Sequence, residues 1–190
     1  MKLSMILLAV ILPMQLFSQA KVEREFRIDP DAAPTVATQW INSTFSDTKR
    51  GFKWFFEISG EEKSYEAKFR WQGSRYSIKF DTLGVLLDVE YEINRLEIAN
   101  AVRNKIEKNL SDTFISHNIL RVQRQLIGSP EAIYSYITQD NEKGITINYE
   151  MEIRGRKETQ NELWEVLFNS AGDILEIQIV KLHPPTNLDF

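Results

Sequence analysis

One phrase occurs twice in this chain, and the repetition constrains the fold more than any other feature. Residues 76–91 read YSIKFDTLGVLLDVEY, and 88 residues later positions 164–179 read WEVLFNSAGDILEIQI. In each copy an apolar and aromatic run ends in Asp or Asn, a Gly follows three residues later, and an alternating run resumes. This pattern is typical of a short β-hairpin with glycine at a positive φ. The repetition predicts a tandem duplication.

The first copy reads as a helix followed by four strands. Apolar residues recur at spacings of three and four over 31–47, which predicts a helix with Trp40 as its core anchor. Beyond residue 51 the period changes to two, and each strand then has one apolar and one charged face. Such strands form an antiparallel meander sheet that is covered on one side only. The four predicted strands lie at 52–58, 65–71, 76–80 and 87–93.

The second copy repeats this order. A helix is predicted over 95–110, and strands are predicted at 120–126, 145–153, 164–168 and 175–179. An insertion at 128–144 opens with Ser129 and Pro130, which are typical of the start of a short helix. The predicted fold is therefore α+β, with helices on one sheet face and the other face open. The predicted organisation is a signal peptide at 1–20, α-β4 repeats at 21–94 and 95–182, and an extended tail at 183–190.

The first twenty residues predict export. Lys2 precedes an apolar run from Met5 to Phe17, and Ser18 and Ala20 place small residues before a cleavage point. The run is too short for a stable membrane span and contains Pro13. The chain has no Cys, so the sequence offers no lipid-anchor site. We expect a protein of the periplasm or the medium.

The residue inventory argues against most catalytic and metal chemistries. No Cys is available for a thiol nucleophile or a zinc site. The two histidines, His117 and His183, are expected far apart, and no nucleophile elbow, zinc-protease motif or phosphate loop is found. The net charge is −4 without a long single-sign block, which argues against a nucleic-acid partner. We predict no catalytic residue, cofactor or metal site.

Paired carboxylates leave one catalytic alternative open. Asp88, Glu90 and Glu92 lie on one strand face, and Glu150 and Glu152 lie on another. These could serve an envelope hydrolase, but a glycosidase pair also needs a cleft that desolvates one acid. The sequence carries no cleft signature, so we expect solvated carboxylates. A structural envelope protein is a further alternative.

The open sheet face is the predicted binding surface for a protein or peptide partner in the cell envelope. Alternation places Phe55 there among charged residues, as an apolar centre, and it places Leu163, Leu167 and Ile119 in comparable outward positions. Aromatic and arginine residues are frequent interface hot spots. The predicted partner-binding residues are Phe55, Glu57, Lys68, Arg70, Lys79, Arg121, Gln123 and Glu150.

The chain resembles a known family through its packing and turn residues. Lys53-Trp54, the motif YEAKF at 65–69, YSIKFD at 76–81, Gly84 and Leu86-Leu87 resemble the exported PepSY-like family of β-lactamase-inhibitor-like domains from Bacteroidetes-type bacteria. The motif YEMEI at 149–153, Phe168 and Gly172 form a weaker match in the second copy. The resemblance implies tandem α-β4 units with helices behind and a broad sheet face in front. It carries no catalytic residues. The namesake inhibitor grips an enzyme with this face and has disulfides, which this chain lacks.

Overall fold

A computed structural model of the chain describes residues 23–48 and 51–180. In these residues nine strands form one antiparallel sheet, in which every strand lies beside its sequence neighbours. The predicted signal peptide and tail lie outside the described residues. The strands are β1 (Glu23–Ile28), β2 (Lys53–Ser59), β3 (Glu62–Trp71), β4 (Ser74–Asp81), β5 (Leu86–Glu92), β6 (Ser116–Gly128), β7 (Ile145–Lys157), β8 (Gln160–Asn169) and β9 (Ile174–Ile179). The helices are α1 (Thr35–Thr44), α2 (Asn100–Thr113) and α3 (Pro130–Gln139).

A row of apolar side chains crosses the sheet and defines the face that the helices cover. Trp54, Ala67, Ile78, Val89 and Leu126 are successive cross-strand partners on β2 to β6, and all are almost completely buried. This first core also receives Ala37 and Ile41 of α1 with Ile133 and Tyr136 of α3. The fold is therefore α+β with its helices on one face, as the sequence predicts.

A second core lies under α2. Ile106 and Leu110 of that helix pack in one cluster with Met151, Trp164 and Val166 from the last strands. The pairing of β5 with β6, through Val89 opposite Leu126 and Glu90 opposite Gln125, joins the two halves into one continuous sheet.

The repeated phrase forms the same hairpin twice. The Asp81 side chain accepts hydrogen bonds from the backbone N–H groups of Leu83 and Val85, both at 2.8 Å. The Asn169 side chain makes the equivalent bonds in the β8–β9 turn at 2.9 Å. Gly84 has φ +84° and Gly172 has φ +83°, so the predicted positive φ is confirmed in both turns. Each hairpin also has a register shift just before its turn. The shift lies between Lys79 and Phe80 in the first hairpin and between Leu167 and Phe168 in the second.

Strand β1 lies before the first strand that the sequence predicts, at 52–58. Its Phe26 pairs with Phe56, and its Ile28 pairs with Trp54. The charged residues between them hide the alternation, because this is an edge strand with one side open to water.

The helix boundaries also differ from the prediction. The first helix begins only at Thr35, after a 3₁₀ turn at Pro30–Ala32. The second begins at Asn100, because Asn94 and Glu97 form a capping box that closes a separate turn at Arg95–Glu97. The predicted short helix in the insertion is confirmed as α3, and the Ser129 side chain caps it by accepting from the Ala132 N–H at 3.2 Å. However, α3 packs on the first core, beside α1.

Two individual placements need correction. Trp40 is only partly buried, and its indole N–H donates to the Pro130 carbonyl at 3.3 Å, so it joins α1 to α3. The large side chains buried most completely in this region are Ile41 and Phe45.

Ile119 faces the second core and not the open face. A register shift between Ile119 and Arg121 inserts one extra residue in β6, which reverses the alternation there.

Candidate functional site in the helix-free face

The sheet face opposite the helices, here called the front face, carries all eight predicted partner-binding side chains. Phe55, Glu66, Lys79 and Asp88 form one cross-strand row on it, and Lys68, Ser77, Glu90 and Gln125 form the next. Both rows alternate with the apolar rows of the cores, as the period of two requires. The binding role of these residues stays a prediction.

The front face is concave and encloses a cavity of about 440 Å³, here called the front groove. Side chains from β1 to β8 reach this one cavity, which a flat sheet does not permit. Strand twist and register shifts such as those in β4 and β6 are general sources of sheet curvature. No pattern in the sequence indicates this cavity. The lining charged residues are Glu25, Lys53, Glu57, Glu66, Lys68, Arg70, Arg75, Lys79, Asp88, Glu90, Glu92, Arg121, Glu150 and Glu165.

Buried ion pairs organise the β1–β4 side of the groove. Glu57 is 3% exposed and Glu66 is 6% exposed, so both carboxylates need a partner charge. Lys79 Nζ lies 3.1 Å from Glu57 Oε1, and Lys68 Nζ lies 2.9 Å from Glu66 Oε2 and 2.7 Å from Glu25 Oε1. Burial lowers the pKa of Lys68, but the two carboxylates outweigh it and hold that pKa above its usual value.

Among the described residues, these three carboxylates are grouped tightly enough to be considered as ligands for a metal ion. One oxygen from each of Glu25, Glu57 and Glu66 lies within 4.8 Å of the others. Positive charge is already supplied there, because Lys68 contacts Glu25 and Glu66 and Lys79 contacts Glu57. The arrangement is therefore an ion-pair network.

The β5–β9 side of the groove has a different chemistry. Glu90 accepts hydrogen bonds from the neutral amides of Gln123 at 2.9 Å and Gln125 at 3.2 Å. Burial, reinforced by the negative charges of Asp88 and Glu165, raises the pKa of Glu90 to about 8, while Lys79 acts in the opposite direction. The prediction of simply solvated carboxylates is thus wrong for Glu90.

A second cavity of about 120 Å³ adjoins Glu90. Its walls combine several carboxylates with the apolar side chain of Leu167. The carboxylates are those of Asp88, Glu90, Glu150, Glu165 and Glu176. Lys79, Gln125 and Gln178 also line this cavity, so carboxylates are its most numerous charged groups.

Three buried amides lie on the front face, and two of them, Gln125 and Asn148, are not among the site residues that the sequence predicts. Gln123, Gln125 and Asn148 are each less than 10% exposed, and Asn148 Nδ2 donates to Gln125 Oε1 at 3.0 Å. Uncharged amides at the front-facing positions of two adjacent strands were the available signal, because a solvated face usually carries charged residues there. The amides orient the Glu90 carboxylate.

The predicted hot-spot residues lie toward the margins of the groove. Phe55 is partly buried on β2, next to the edge strand, and Lys68 Nζ lies 5.2 Å from its ring centroid. Phe55 is not the centre of the face, because the sheet has one strand on one side of β2 and seven on the other. Arg70 and Arg121 are exposed, and Arg121 pairs with Glu152 at 2.9 Å.

No histidine lines the groove among the described residues. His117 stands at the start of β6, and its Nε2 lies 3.4 Å from Oε2 of Glu107 on α2. His183 lies outside the described residues.

No helix in the part of the chain that the structure describes has the length and apolarity of a membrane span.

Known proteins resemble this chain in fold, but none of the sequence comparisons finds a match. No family model matches the chain, and no curated protein matches it. A DUF2874 family protein from Bacteroides ovatus is 12% identical over 83% of this chain and 99% of its own, with a TM-score of 0.52. A candidate periplasmic protein from Bacteroides eggerthii is 15% identical over 77% and 88%, with a TM-score of 0.50. A BLIP-like protein from Bacteroides fragilis is 17% identical over 81% and 94%, with a TM-score of 0.48. At these identities the similarity describes the fold alone.

Proposed function

We propose that this chain is an exported, noncatalytic binding or inhibitor-like module that engages a protein or peptide through the front groove. The observation that carries the proposal is the groove itself: a helix-free face that side chains of eight strands line around about 440 Å³. A pre-formed concave surface with fixed polar groups loses little conformational entropy when a partner binds. The resemblance to the PepSY-like, β-lactamase-inhibitor-like family supports the same class.

The predicted partner-binding residues divide into contacting and supporting groups. Arg70 and Arg121 are exposed at the margins and are the side chains that a partner meets first. Glu57 and Gln123 are buried, so they act by holding their neighbours in position. Phe55, Lys68, Lys79 and Glu150 have intermediate exposure and complete the proposed surface.

The proposal includes a tandem duplication of an α-β4 unit, with repeats at 21–94 and 95–182. The two equivalent hairpins support it, because each glycine also approaches the helix of its own half. A Cβ at Gly84 would lie 2.9 Å from Pro34 Cβ, just before α1, and a Cβ at Gly172 would lie 3.0 Å from the Val102 carbonyl oxygen in α2. The insertion at 128–144 and strand β1 distinguish the halves.

The proposed location is the periplasm or the medium. The signal-peptide pattern at 1–20 supports export, and a candidate periplasmic protein shares the fold. Fractionation of cells that express the tagged chain tests this, with Ala20→Tyr as a variant that blocks the predicted cleavage.

Capture of a partner from the native envelope tests the binding proposal. The mature chain, Arg70→Glu and Lys143→Glu serve as baits; Lys143 is an exposed residue in the loop after α3, so its reversal is a control of equal charge change. We expect a protein that the mature chain and Lys143→Glu retain and Arg70→Glu loses. Equal retention by all three baits would contradict the use of this face.

A second candidate function is an envelope hydrolase that uses Glu90 as a general acid. The raised pKa of Glu90 beside Asp88 and Glu165 favours it, because a general acid must hold its proton near neutral pH. A broad hydrolase screen with the mature chain, Glu90→Gln and Glu162→Gln separates the two functions. A turnover that only Glu90→Gln abolishes would replace the binding proposal.

A further inference from the structure

An arginine surrounded by tyrosines lies on the helix-covered side of the sheet, at the boundary between the two cores. Arg124 of β6 is directly opposite Tyr91 of β5 and Tyr149 of β7. Tyr91 packs against the first core, and Tyr149 belongs to the second. Tyr136 of α3 reaches the same place, because its hydroxyl oxygen is 3.2 Å from that of Tyr91. These four residues, here called the Arg124 cluster, lie between the core under α1 and α3 and the core under α2.

The guanidinium of Arg124 forms no ion pair with any carboxylate among the described residues. Its Nη1 donates to the Tyr91 hydroxyl at 3.1 Å and to the Tyr136 hydroxyl at 2.9 Å, and both acceptors are uncharged. By contrast, Lys68 and Lys79 on the front face each contact a carboxylate. A cation that is partly removed from water is destabilised unless an opposite charge compensates it. The Arg124 cluster therefore holds an uncompensated positive charge.

The cluster also has more hydrogen-bond donors than acceptors. A guanidinium has five N–H groups and no acceptor, and each tyrosine hydroxyl adds one donor. The two hydroxyl oxygens accept from Nη1, and one hydroxyl can donate to the other, which leaves the second with a spare proton. Burial raises the pKa of Tyr91, so that hydroxyl keeps its proton. Arg124 Nε is buried with no acceptor in the described part of the chain. What the cluster lacks is an acceptor.

The free donors of Arg124 lie along one edge of the guanidinium. The Nη1 edge is occupied by the two hydroxyls. The guanidinium carbon lies 5.8 Å from the ring centroid of Tyr91 and 6.0 Å from that of Tyr149, at distances where aromatic faces attract a cation. Nη2 is not among the buried polar atoms without a partner, and Arg124 as a residue is only partly buried. A ligand from solvent therefore reaches the edge formed by Nε and Nη2 at its Nη2 end.

We propose that the Arg124 cluster binds an oxyanion, the carboxylate or phosphate group of a ligand. The N–H groups of Nε and Nη2 are parallel, and this fork matches two oxygens of one carboxylate or phosphate. The spare tyrosine proton supplies a further donor beside it. An oxyanion thus provides both the negative charge and the acceptors that the cluster lacks. The site is on the opposite side of the sheet from the front groove, so the inference goes beyond the proposed function.

Replacement of chloride by oxyanions tests the site in the native chain. Sodium acetate and sodium phosphate separately replace sodium chloride at constant pH and ionic strength, and the Nε–H resonance of Arg124 is followed in the ¹⁵N-labelled mature protein. We expect a saturable shift of this resonance with at least one oxyanion. The oxyanion that saturates at the lower concentration identifies the ligand group as carboxylate or phosphate. If neither oxyanion gives a saturable shift, or if only residues outside the cluster respond, the proposal is overturned.

Substitutions of Arg124 test whether the fork or only the charge binds. Arg124→Lys keeps the charge without parallel N–H groups, Arg124→Gln removes the charge, and Arg154→Gln removes an exposed guanidinium from β7 as a control. Backbone amides of residues 91 and 149 report binding, and unchanged spectral dispersion elsewhere confirms folding. We expect the affinity for the preferred oxyanion to fall about three- to tenfold in Arg124→Lys and about tenfold or more in Arg124→Gln. Arg154→Gln should bind as the native chain does. Equal affinity in Arg124→Lys and the native chain, or an equal loss in Arg154→Gln, would refute the assignment.

Discussion

Replacement of Glu90 by Gln should make the protein less sensitive to alkaline pH. The pKa of Glu90 rises from an ordinary 4.5 to about 8 in the folded protein, chiefly through burial and then through Asp88 and Glu165. The folded state therefore binds this proton more tightly than the unfolded chain does. The corresponding stabilisation is complete below about pH 4.5 and is lost as the pH rises through about 8.

The size of the effect follows from the shift. Each pKa unit corresponds to about 1.4 kcal/mol, so the full shift sets an upper bound of about 5 kcal/mol. Water that enters the groove screens part of this cost, and we expect about 2 to 4 kcal/mol. Gln keeps the shape and the hydrogen-bonding capacity toward Gln123 and Gln125 but carries no charge.

Urea unfolding followed by tryptophan fluorescence measures the prediction, because Trp54 and Trp164 are buried in the two cores. Relative to the native chain, Glu90→Gln should have similar stability at pH 5 and be about 2 to 4 kcal/mol more stable at pH 9. Glu162→Gln, an exposed substitution on β8, controls for the general loss of a carboxylate. If the profiles of the native chain and Glu90→Gln run parallel from pH 5 to pH 9, the reasoning about Glu90 is refuted.

Three further predictions concern the fold, and urea unfolding measures each. Gly84→Ala and Gly172→Ala should each cost about 2 to 4 kcal/mol, because both combine a positive φ with a close contact; a loss in only one hairpin would argue against their equivalence. Trp40→Ala should cost about 2 to 4 kcal/mol through lost packing and the lost bond to Pro130, and a change below 1 kcal/mol would contradict the joining of α1 to α3. Ser129→Ala should cost about 1 kcal/mol through loss of the α3 cap, whereas Ser129→Thr should retain most of it.

The resolved groove changes how the two functional classes are compared. An open, wet face favours a binding module, whereas a cavity with converging carboxylates is compatible with both a binding module and an enzyme. The Glu90 substitutions separate the classes experimentally.

The amino-acid pattern alone determined the local structure of most of the chain. Alternation along 52–58 and 76–80 predicted β2 and β4 and assigned Phe55 and Lys79 to the front face, because adjacent residues in a strand must point to opposite sides. The spacing of Asp81 to Gly84 predicted the turn, because few residues adopt a positive φ without strain. These properties depend only on near neighbours in the sequence.

The tertiary structure decided the features that depend on distant residues. Only pairing of β5 with β6 made one sheet, and only its curvature brought Glu90 and Glu165 to the same cavity. The burial of Glu57 and the raised pKa of Glu90 follow from their tertiary surroundings, since a carboxylate is desolvated by what surrounds it and not by its place in a strand. The direction in which Ile119 points also depends on distant residues. The pairing of β6 with β7 places the extra residue between Ile119 and Arg121, and the alternation of side chains reverses there.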